Sequence, residues 1–164
     1  NIIEIDVSFF DSSHVTNMDS MFKDCSNLKK INFGKINTSS VVDMSSLFHN
    51  CRHLTSIDLS NFDTSKVTNM ANMFLDCTNL EKINLWNINT TLVENMSGFF
   101  KNCKNLKTIK IKSKKLNAKN VSDNAFKGVG GNVKVQVPKD KVKSYKSLFC
   151  KKGLCKQAKV CGKF

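Results

Sequence analysis

The chain has 164 residues, of which 40% are hydrophobic, and it carries a formal net charge of +13. This composition excludes an intrinsically disordered chain and allows one domain with a sizeable hydrophobic core. No apolar run reaches the about 18 residues that a transmembrane helix needs, so we expect no membrane span in this segment.

The charge is divided unevenly along the chain. Residues 1–103 hold eight basic and eleven acidic side chains, whereas residues 104–164 hold eighteen lysines and two aspartates. Two interpretations remain open for the lysine-rich part: a solvated surface that keeps the protein soluble, or a surface that faces polyanions. Lysine supplies a point charge without the bidentate geometry of arginine, so specific nucleic-acid recognition is not predicted.

A repeat of 26 residues runs through nearly the whole chain without an insertion or deletion. The aligned columns are Val15, Val41, Val67 and Val93; Met18, Met44, Met70 and Met96; Phe22, Phe48, Phe74 and Phe100; Cys25, Cys51, Cys77 and Cys103; Leu28, Leu54, Leu80 and Leu106; and Ile31, Ile57, Ile83 and Ile109. A period of this length is typical of solenoid proteins, in which each unit buries its apolar side chains against its neighbours.

Each repeat contains two different hydrophobic periods. In residues 80–85 apolar and polar positions alternate, which predicts a strand. In residues 67–77 apolar side chains recur at steps of three and four, which predicts a short helix. The Asp, Thr and Ser of residues 62–65 suit a turn and a helix N-cap.

Applied along the chain, this pattern predicts six strands, at about 3–7, 29–33, 55–59, 81–85, 107–111 and 133–137. Residues 107–149 form a degenerate last repeat, in which Lys119 and Val129 replace the valine and the cysteine of the columns. Pro138 ends the last strand, and the amphipathic segment 140–149 predicts a helix that covers the end of the core. Asn1 lies inside a repeat, and an uncovered edge strand there would invite pairing. We therefore expect further repeats, and any export signal or anchor, outside this segment.

The predicted fold is an α/β repeat solenoid, leucine-rich-repeat-like, with about six parallel strands on one face, short helices on the other and a C-terminal capping helix. The solenoid is assigned to residues 1–149, and residues 150–164 are assigned to a tail rich in cysteine and lysine.

The repeat pattern Thr-Ser-x-Val-Thr-Asn-Met-x-x-Met-Phe-x-x-Cys-x-x-Leu-x-x-Ile-x-Leu resembles that of the BspA-like leucine-rich-repeat surface proteins. These include the repeat of unknown function common in mycoplasma lipoproteins. The resemblance covers residues 1 to about 149 and implies a parallel-sheet solenoid on surface or secreted proteins that act in adhesion. It implies no catalytic motif. This chain departs from other leucine-rich repeats in lacking the asparagine after the strand, since Phe10, Ile36, Phe62 and Ile88 lie near its place.

The cysteine column admits a structural, a redox or a metal-binding interpretation. Each cysteine follows the apolar positions of its repeat and therefore belongs to the core, where a thiol acts as a small hydrophobic group. Equivalent positions in a stack point their Cβ atoms in parallel, which is poor disulfide geometry. His49 and His53 flank Cys51 at a spacing that a metal could use on a helix, but a solvent-facing position is the favoured interpretation.

The tail cysteines Cys150, Cys155 and Cys161 lie beyond the repeats. An oxidising location would favour one disulfide among them, leaving one cysteine over. Zinc is disfavoured because no fourth ligand is close in sequence. The sequence therefore predicts neither a metal site nor a cofactor.

The side chains that flank the buried isoleucine of each strand form the predicted ligand-binding surface, because solenoids bind along extended faces. The candidate residues are Glu4, Asp6, Lys30, Asn32, Ser56, Asp58, Lys82, Asn84, Trp86, Lys110 and Lys112. Trp86 is the only tryptophan. It is interpreted either as an interface anchor or as a packed loop residue.

The resulting functional prediction is a non-enzymatic, surface-exposed or secreted protein-binding or adhesion module. Its partner would be a protein on a host cell, in the matrix or on a neighbouring cell. The alternative is binding of a polyanion, an acidic glycan or an anionic surface, through residues 104–164. An enzyme on a repeat scaffold is the third alternative, and no nucleophile motif supports it.

Overall fold

The computed structural model describes residues 2–112, 120–154 and 158–162, and in it the chain forms a solenoid with one short strand per repeat. The strands are β1 (Glu4–Asp6), β2 (Lys30–Asn32), β3 (Ser56–Asp58), β4 (Lys82–Leu85), β5 (Thr108–Ile111), β6 (Val133–Val137) and β7 (Ala158–Gly162), and the α-helix is α1 (Val142–Phe149). A 3₁₀ turn at Lys139–Lys141 precedes α1, and a π-helical turn at Cys150–Leu154 follows it.

The strands pair in parallel, with the register that the repeat period predicts. Ile57 lies opposite Ile83, and Ile83 lies opposite Ile109. The ladder is divided into two sheets, β1–β2 and β3–β4–β5–β6–β7. The prediction of six parallel strands at these positions is confirmed. Strand β7, which pairs with β6, comes from the segment that the sequence assigned to the tail.

In the part of the chain that the structure describes, the short helices predicted for the opposite face are not formed. Residues 67–77 form turns, and their alternate N–H groups donate to the next repeat: Met70 to Asn95 O at 2.9 Å and Asn72 to Ser97 O at 2.7 Å. Asn72 and Asp76 have φ values of 56° and 60°. Such left-handed residues interrupt an α-helix.

Three-residue turns explain why the apolar spacing resembles that of a helix. The N–H of Cys77 donates to Phe74 O at 3.2 Å, and that of Leu80 donates to Cys77 O at 3.1 Å. Successive turns of this kind return apolar side chains to the core every three or four residues. We call this side of the solenoid, formed by residues 15–28, 41–54, 67–80 and 93–106, the turn face.

The core is one continuous stack of equivalent side chains. The rings of Phe22, Phe48, Phe74 and Phe100 lie 5.6, 5.3 and 5.4 Å apart in succession. Cys51, Cys77 and Cys103 are fully buried free thiols, whereas Cys25 is half-buried. Each buried thiol donates to the carbonyl of a phenylalanine one repeat earlier, as Cys77 does to Phe48 O at 3.0 Å. The interpretation of these three cysteines as core groups is confirmed.

A column of buried hydroxyls stabilises the bends after strands β1 to β4. Its members are Ser12, Thr38, Thr64 and Thr90. Thr64 Oγ1 accepts the N–H of Asn89 at 2.8 Å and donates to Asn89 O at 2.9 Å. Thr38 bonds the backbone of Asp63 in the same way. These hydroxyls supply partners to part-buried backbone groups at the bends.

Helix α1 covers the C-terminal end of the stack, as predicted. Tyr145, Leu148 and Phe149 form the buried side of this helix. The ring of Phe149 meets that of Phe126 edge-on, with centroids 5.4 Å apart. Of the degenerate last repeat, Val129 is buried, and Lys119 lies outside the described residues. Cys150 is disulfide-bonded and Cys161 is a half-buried free thiol, while Cys155 lies outside the described residues.

Candidate binding surface on the strand face

The outward side chains of β1 to β5 form a continuous polar surface, which we call the strand face. The ladder places Glu4 beside Lys30 and Asp6 beside Asn32 in the first sheet. In the second sheet the neighbours are Ser56 and Lys82, Asp58 and Asn84, and Asn84 and Lys110. Paired strands lie about 4.8 Å apart, so these side chains form adjacent rows on one surface.

The predicted residues occupy this surface with different exposures. Nine of them are exposed: Glu4, Asp6, Lys30, Asn32, Ser56, Asp58, Lys82, Lys110 and Lys112. Asn84 and Trp86 are half-buried. The surface is acidic at β1 and basic at β5, with acidic and basic side chains interspersed between them.

The end of each strand is held by a side chain that caps the following turn. The oxygen Oδ1 of Asp6, Asn32, Asp58 and Asn84 accepts the backbone N–H two residues later, at 2.8–3.2 Å. Burial acts to raise the pKa of Asp58, but hydrogen bonds from Ser60 and Asn84 and the charge of Lys110 hold that pKa below its usual range. The carboxylate is therefore ionised at neutral pH and fixed in position. An Asp or Asn recurs every 26 residues at this position, and this recurrence is the sequence signal for the turn-capping side chains.

A groove of about 590 Å³ lies on the strand face between β2 and β5. Seven predicted residues line it: Lys30, Asn32, Ser56, Asp58, Lys82, Asn84 and Lys110. Glu4 and Asp6, together with Lys30 and Asn32, line a neighbouring groove of about 500 Å³ over β1 and β2. Nine of the eleven predicted residues are thus brought together in two adjoining depressions, whereas Trp86 and Lys112 line neither.

The first groove lies over an opening in the sheet between β2 and β3. In the joint between β3 and β4, the N–H of Leu59 donates to Asn84 O and the N–H of Glu81 donates to Thr55 O. The same two bonds occur between β1 and β2, at Val7 and Lys29. The equivalent bonds between β2 and β3 would run from the N–H of Phe33 to Asp58 O and from the N–H of Thr55 to Lys29 O. Neither bond is present among these described residues. We call this opening the β2/β3 cleft.

Sequence reasoning missed the cleft, although a signal for it exists. Phe33 belongs to a column that continues with Leu59, Leu85 and Ile111, and Phe62 belongs to one that continues with Ile88. The rings of Phe33 and Phe62 meet across the joint, with centroids 5.0 Å apart. The joint where these rings meet lacks the strand pairing of the next joint, and we attribute this difference to the size of the rings.

Trp86 lies in the turn after β4, at the side of the strand face. Its backbone N–H donates to Asn84 Oδ1 at 3.2 Å, and Lys112 Nζ lies 5.8 Å from the centroid of the ring. This distance is within the range of a cation–π interaction. The ring is therefore held by its surroundings and presents only part of its surface.

The remaining candidates from the sequence occupy separate places on the turn face. The ring nitrogen Nδ1 of His53 lies 2.6 Å from Ser26 O, and His49 Nε2 lies 3.8 Å from Asp76 Oδ2. Within residues 2–112, 120–154 and 158–162, no three His, Cys, Asp or Glu side chains are grouped so that they could hold a metal ion. In the same part of the chain, none of the helices has the length and apolar character needed to cross a membrane.

Two family models match the chain. The model described as "Mycoplasma protein of unknown function, DUF285" matches residues 1–114, which is more than half of the sequence. The model described as "BspA type Leucine rich repeat region (6 copies)" matches residues 96–162.

The chain is a BspA-like leucine-rich-repeat protein of this Mycoplasma family. The family expected from the repeat pattern is thereby confirmed. The second match extends through β7, in agreement with the pairing of that strand in the solenoid. No curated protein and no solved structure matches this BspA-like chain. A leucine-rich-repeat solenoid is typically a non-enzymatic scaffold, and proteins of the BspA type are typically found at the cell surface.

Proposed function

We propose that this BspA-like chain is a protein-binding module, surface-exposed or secreted, that binds its partner with the strand face. The observation that carries the proposal is the groove of about 590 Å³, lined by polar side chains from four adjacent strands. Solenoids bind partners on such extended faces because successive repeats present equivalent side chains in rows.

The partner is proposed to be a protein on a host cell, in the matrix or on a neighbouring cell. A protein ligand suits this surface because acidic, amide and basic side chains are interspersed on it, as Asp58, Asn84 and Lys110 are. Mixed charges of this kind give specificity towards a partner with complementary groups. The role proposed for the module is adhesion without catalysis.

A binding screen tests the proposal. Purified matrix and cell-surface proteins are immobilised, and binding is measured at about 50 and about 300 mM NaCl, a range over which screening of exposed charges changes strongly. Lys82→Glu reverses a charge in the groove, and we expect it to weaken binding at least about tenfold, or about 1.4 kcal/mol. Lys23→Glu is the matched control, because Lys23 is exposed on the turn face. Equal loss in both variants would contradict binding by the strand face.

The second proposal is polyanion binding by the lysine-rich C-terminal part. Lys107 and Lys152 pair with Glu81 and Asp123. Several other lysines of this part are exposed, among them Lys104, Lys110, Lys127, Lys134, Lys143 and Lys146. Such a surface attracts acidic glycans through long-range electrostatics. Affinity for a sulfated glycan that falls steeply with salt supports this proposal, whereas a salt-insensitive protein ligand supports the first.

A further inference from the structure

The β2/β3 cleft exposes main-chain groups that the other joints use for pairing. The N–H of Phe33 and the C=O of Asp58 would bond to each other if this joint resembled that between β3 and β4. Thr55 and Lys29 form a second such pair, and both residues are exposed. Open strand edges of this kind accept an additional strand, because unpaired main-chain groups form a template.

The cleft is limited to the strand face. On the turn face of the same joint, Met44 donates to Asn69 O at 3.0 Å and Phe48 donates to Met73 O at 2.9 Å. The rings of Phe48 and Phe74 remain stacked there. The two repeats are therefore held together at the back while the edge-on contact of Phe33 with Phe62 separates them at the front.

The charge around the cleft is predominantly positive. Four lysines line the groove, Lys29, Lys30, Lys82 and Lys110, against one carboxylate, Asp58. That carboxylate accepts the N–H of Ser60 at 2.8 Å, so one of its oxygens is already engaged in the turn after β3. The floor is apolar, since Ile31, Leu54 and Ile57 also line the groove. Open main-chain edges, an apolar floor and surrounding cations together favour an extended segment that carries carboxylates.

We propose that the β2/β3 cleft binds an extended, carboxylate-bearing peptide segment of a partner protein, which adds as a strand to the open edges. The inference rests on the proposed function, because it names the kind of protein segment that the strand face takes. Main-chain hydrogen bonds supply the affinity in strand addition, and the side-chain surroundings supply the specificity. Full insertion needs about 9.6 Å between β2 and β3, twice the normal strand spacing, so the cleft opens about its turn-face contacts as the segment enters.

The test uses a capped octapeptide of alternating valine and glutamate, titrated against the whole chain. Two peptide controls separate the contributions: one has lysine in place of glutamate, and one has alternate amides N-methylated, which keeps the charge and removes main-chain donors. We expect the lysine peptide and the N-methylated peptide to bind at least about tenfold more weakly, that is by about 1.4 kcal/mol. Amide hydrogen exchange at Phe33 should slow when the glutamate peptide binds.

The protein variant that decides the matter is Phe33→Leu. Leucine occupies this column at Leu59 and Leu85, so the variant is expected to fold, to close the joint and to lose octapeptide binding at least about tenfold. Lys23→Glu should bind as the wild type does. A second readout is independent of the peptide: the amide of residue 33 should exchange more slowly in the free variant than in the free wild type.

Three results would overturn the inference. They are equal binding of the N-methylated peptide, unchanged binding by a folded Phe33→Leu variant, and absence of octapeptide binding by the wild type. A protein ligand that still depends on Lys82 but not on Phe33 would leave the proposed function intact and remove the cleft from it. If a sulfated oligosaccharide binds the wild type and Phe33→Leu equally, the lysines of the groove serve polyanion binding instead.

Discussion

The hydroxyl of Thr64 bonds both main-chain groups of Asn89, accepting the N–H at 2.8 Å and donating to the C=O at 2.9 Å. Asn89 lies in the following repeat, so one side chain joins two successive units of the solenoid. Thr38 makes the same two bonds to Asp63. In this chain the buried threonines hold the bends where the resemblance to other leucine-rich repeats would have suggested asparagines.

Replacement of Thr64 by valine should therefore be costly despite its similar shape. Two main-chain groups of the half-buried Asn89 lose their partner, and an unsatisfied buried group costs about 1–3 kcal/mol, less where solvent reaches it. We expect Thr64→Val to lower the free energy of unfolding by about 2–4 kcal/mol in urea titration. Thr91→Val is the control, since Thr91 is exposed, and it should change the free energy by less than about 0.5 kcal/mol. Similar effects of the two variants would show that the hydroxyl column does not stabilise the bends.

The buried thiols predict a loss of stability in alkali. Burial is the main cause that raises the pKa of Cys51, to about 12 from an ordinary 9.0, and it also raises the pKa values of Cys77 and Cys103. In the unfolded chain these thiols ionise near pH 9, whereas the folded protein keeps them protonated. The stabilisation is complete below about pH 9 and is lost as the pH rises towards the folded pKa.

Cys51→Ala isolates one of these groups. Between about pH 8 and 10.5, the wild type should lose roughly 1–2 kcal/mol more free energy of unfolding than the variant does. Lysine titration is common to both proteins and cancels in the difference. Equal pH dependence would show that the thiol of Cys51 ionises as freely in the folded protein as in the unfolded chain.

Asp43 predicts a complementary loss of stability in acid. Burial acts to raise the pKa of its carboxyl group, but the N–H and O–H of Ser45 and the side-chain amide of Asn69 together lower it. The corresponding distances are 2.7, 2.6 and 3.1 Å. The stabilisation is present above about pH 4 and is lost as the pH falls through the lowered folded pKa.

Asp43→Asn should reduce the loss of free energy of unfolding at low pH. Asn69 and Asn95 occupy the same column in later repeats, so asparagine fits the turn. We expect the wild type to lose about 0.5 kcal/mol more than the variant between about pH 4 and 2, a small value because solvent screens the group. Thermal unfolding at several pH values measures the difference. A greater loss in Asp43→Asn than in the wild type would contradict the assignment.

Gly98 should tolerate alanine poorly. It has a φ of 60°, and a Cβ atom there would overlap the side-chain oxygen of Asn72. The left-handed conformation alone costs a residue with a side chain about 1–2 kcal/mol, so Gly98→Ala should destabilise the fold by about 2 kcal/mol or more. Gly131→Ala is the matched control, because a Cβ at Gly131 meets nothing within 4 Å. Chemical denaturation of both variants should separate them clearly, and equal stability would contradict the overlap.

Trp86→Ala tests the contribution of the tryptophan to binding. The ring is half-buried and lies beside Lys112, outside the main core, so we expect the fold to remain intact by circular dichroism. Affinity for a protein ligand identified in the screen should fall by about tenfold, because partly buried tryptophans often anchor interfaces. Unchanged affinity would remove Trp86 from the binding surface.

The difference between the predicted and the observed turn face has a clear physical cause. Residues 67–77 carry apolar side chains at steps of three and four, a pattern that a helix and a series of three-residue turns share. The choice depends on whether main-chain N–H groups bond within the repeat or to the next repeat. Asn72 and Asp76, which adopt the left-handed conformation, were the local signal against a helix, since Asn and Asp tolerate it better than other residues with side chains.

The strand face was largely foreseeable from the sequence, since alternation around Ile57, Ile83 and Ile109 places their polar neighbours outward in register. The 26-residue period by itself determined the solenoid, the strand positions and the buried cysteine column, because identical apolar patterns pack against one another at equal spacing. The amphipathic pattern of residues 140–149 determined the C-terminal cap. Only the tertiary structure decided which repeats pair closely. Phe33 and Phe62 lie 29 residues apart in the sequence, and their contact across one joint, which opens the β2/β3 cleft, depends on how two neighbouring coils stack.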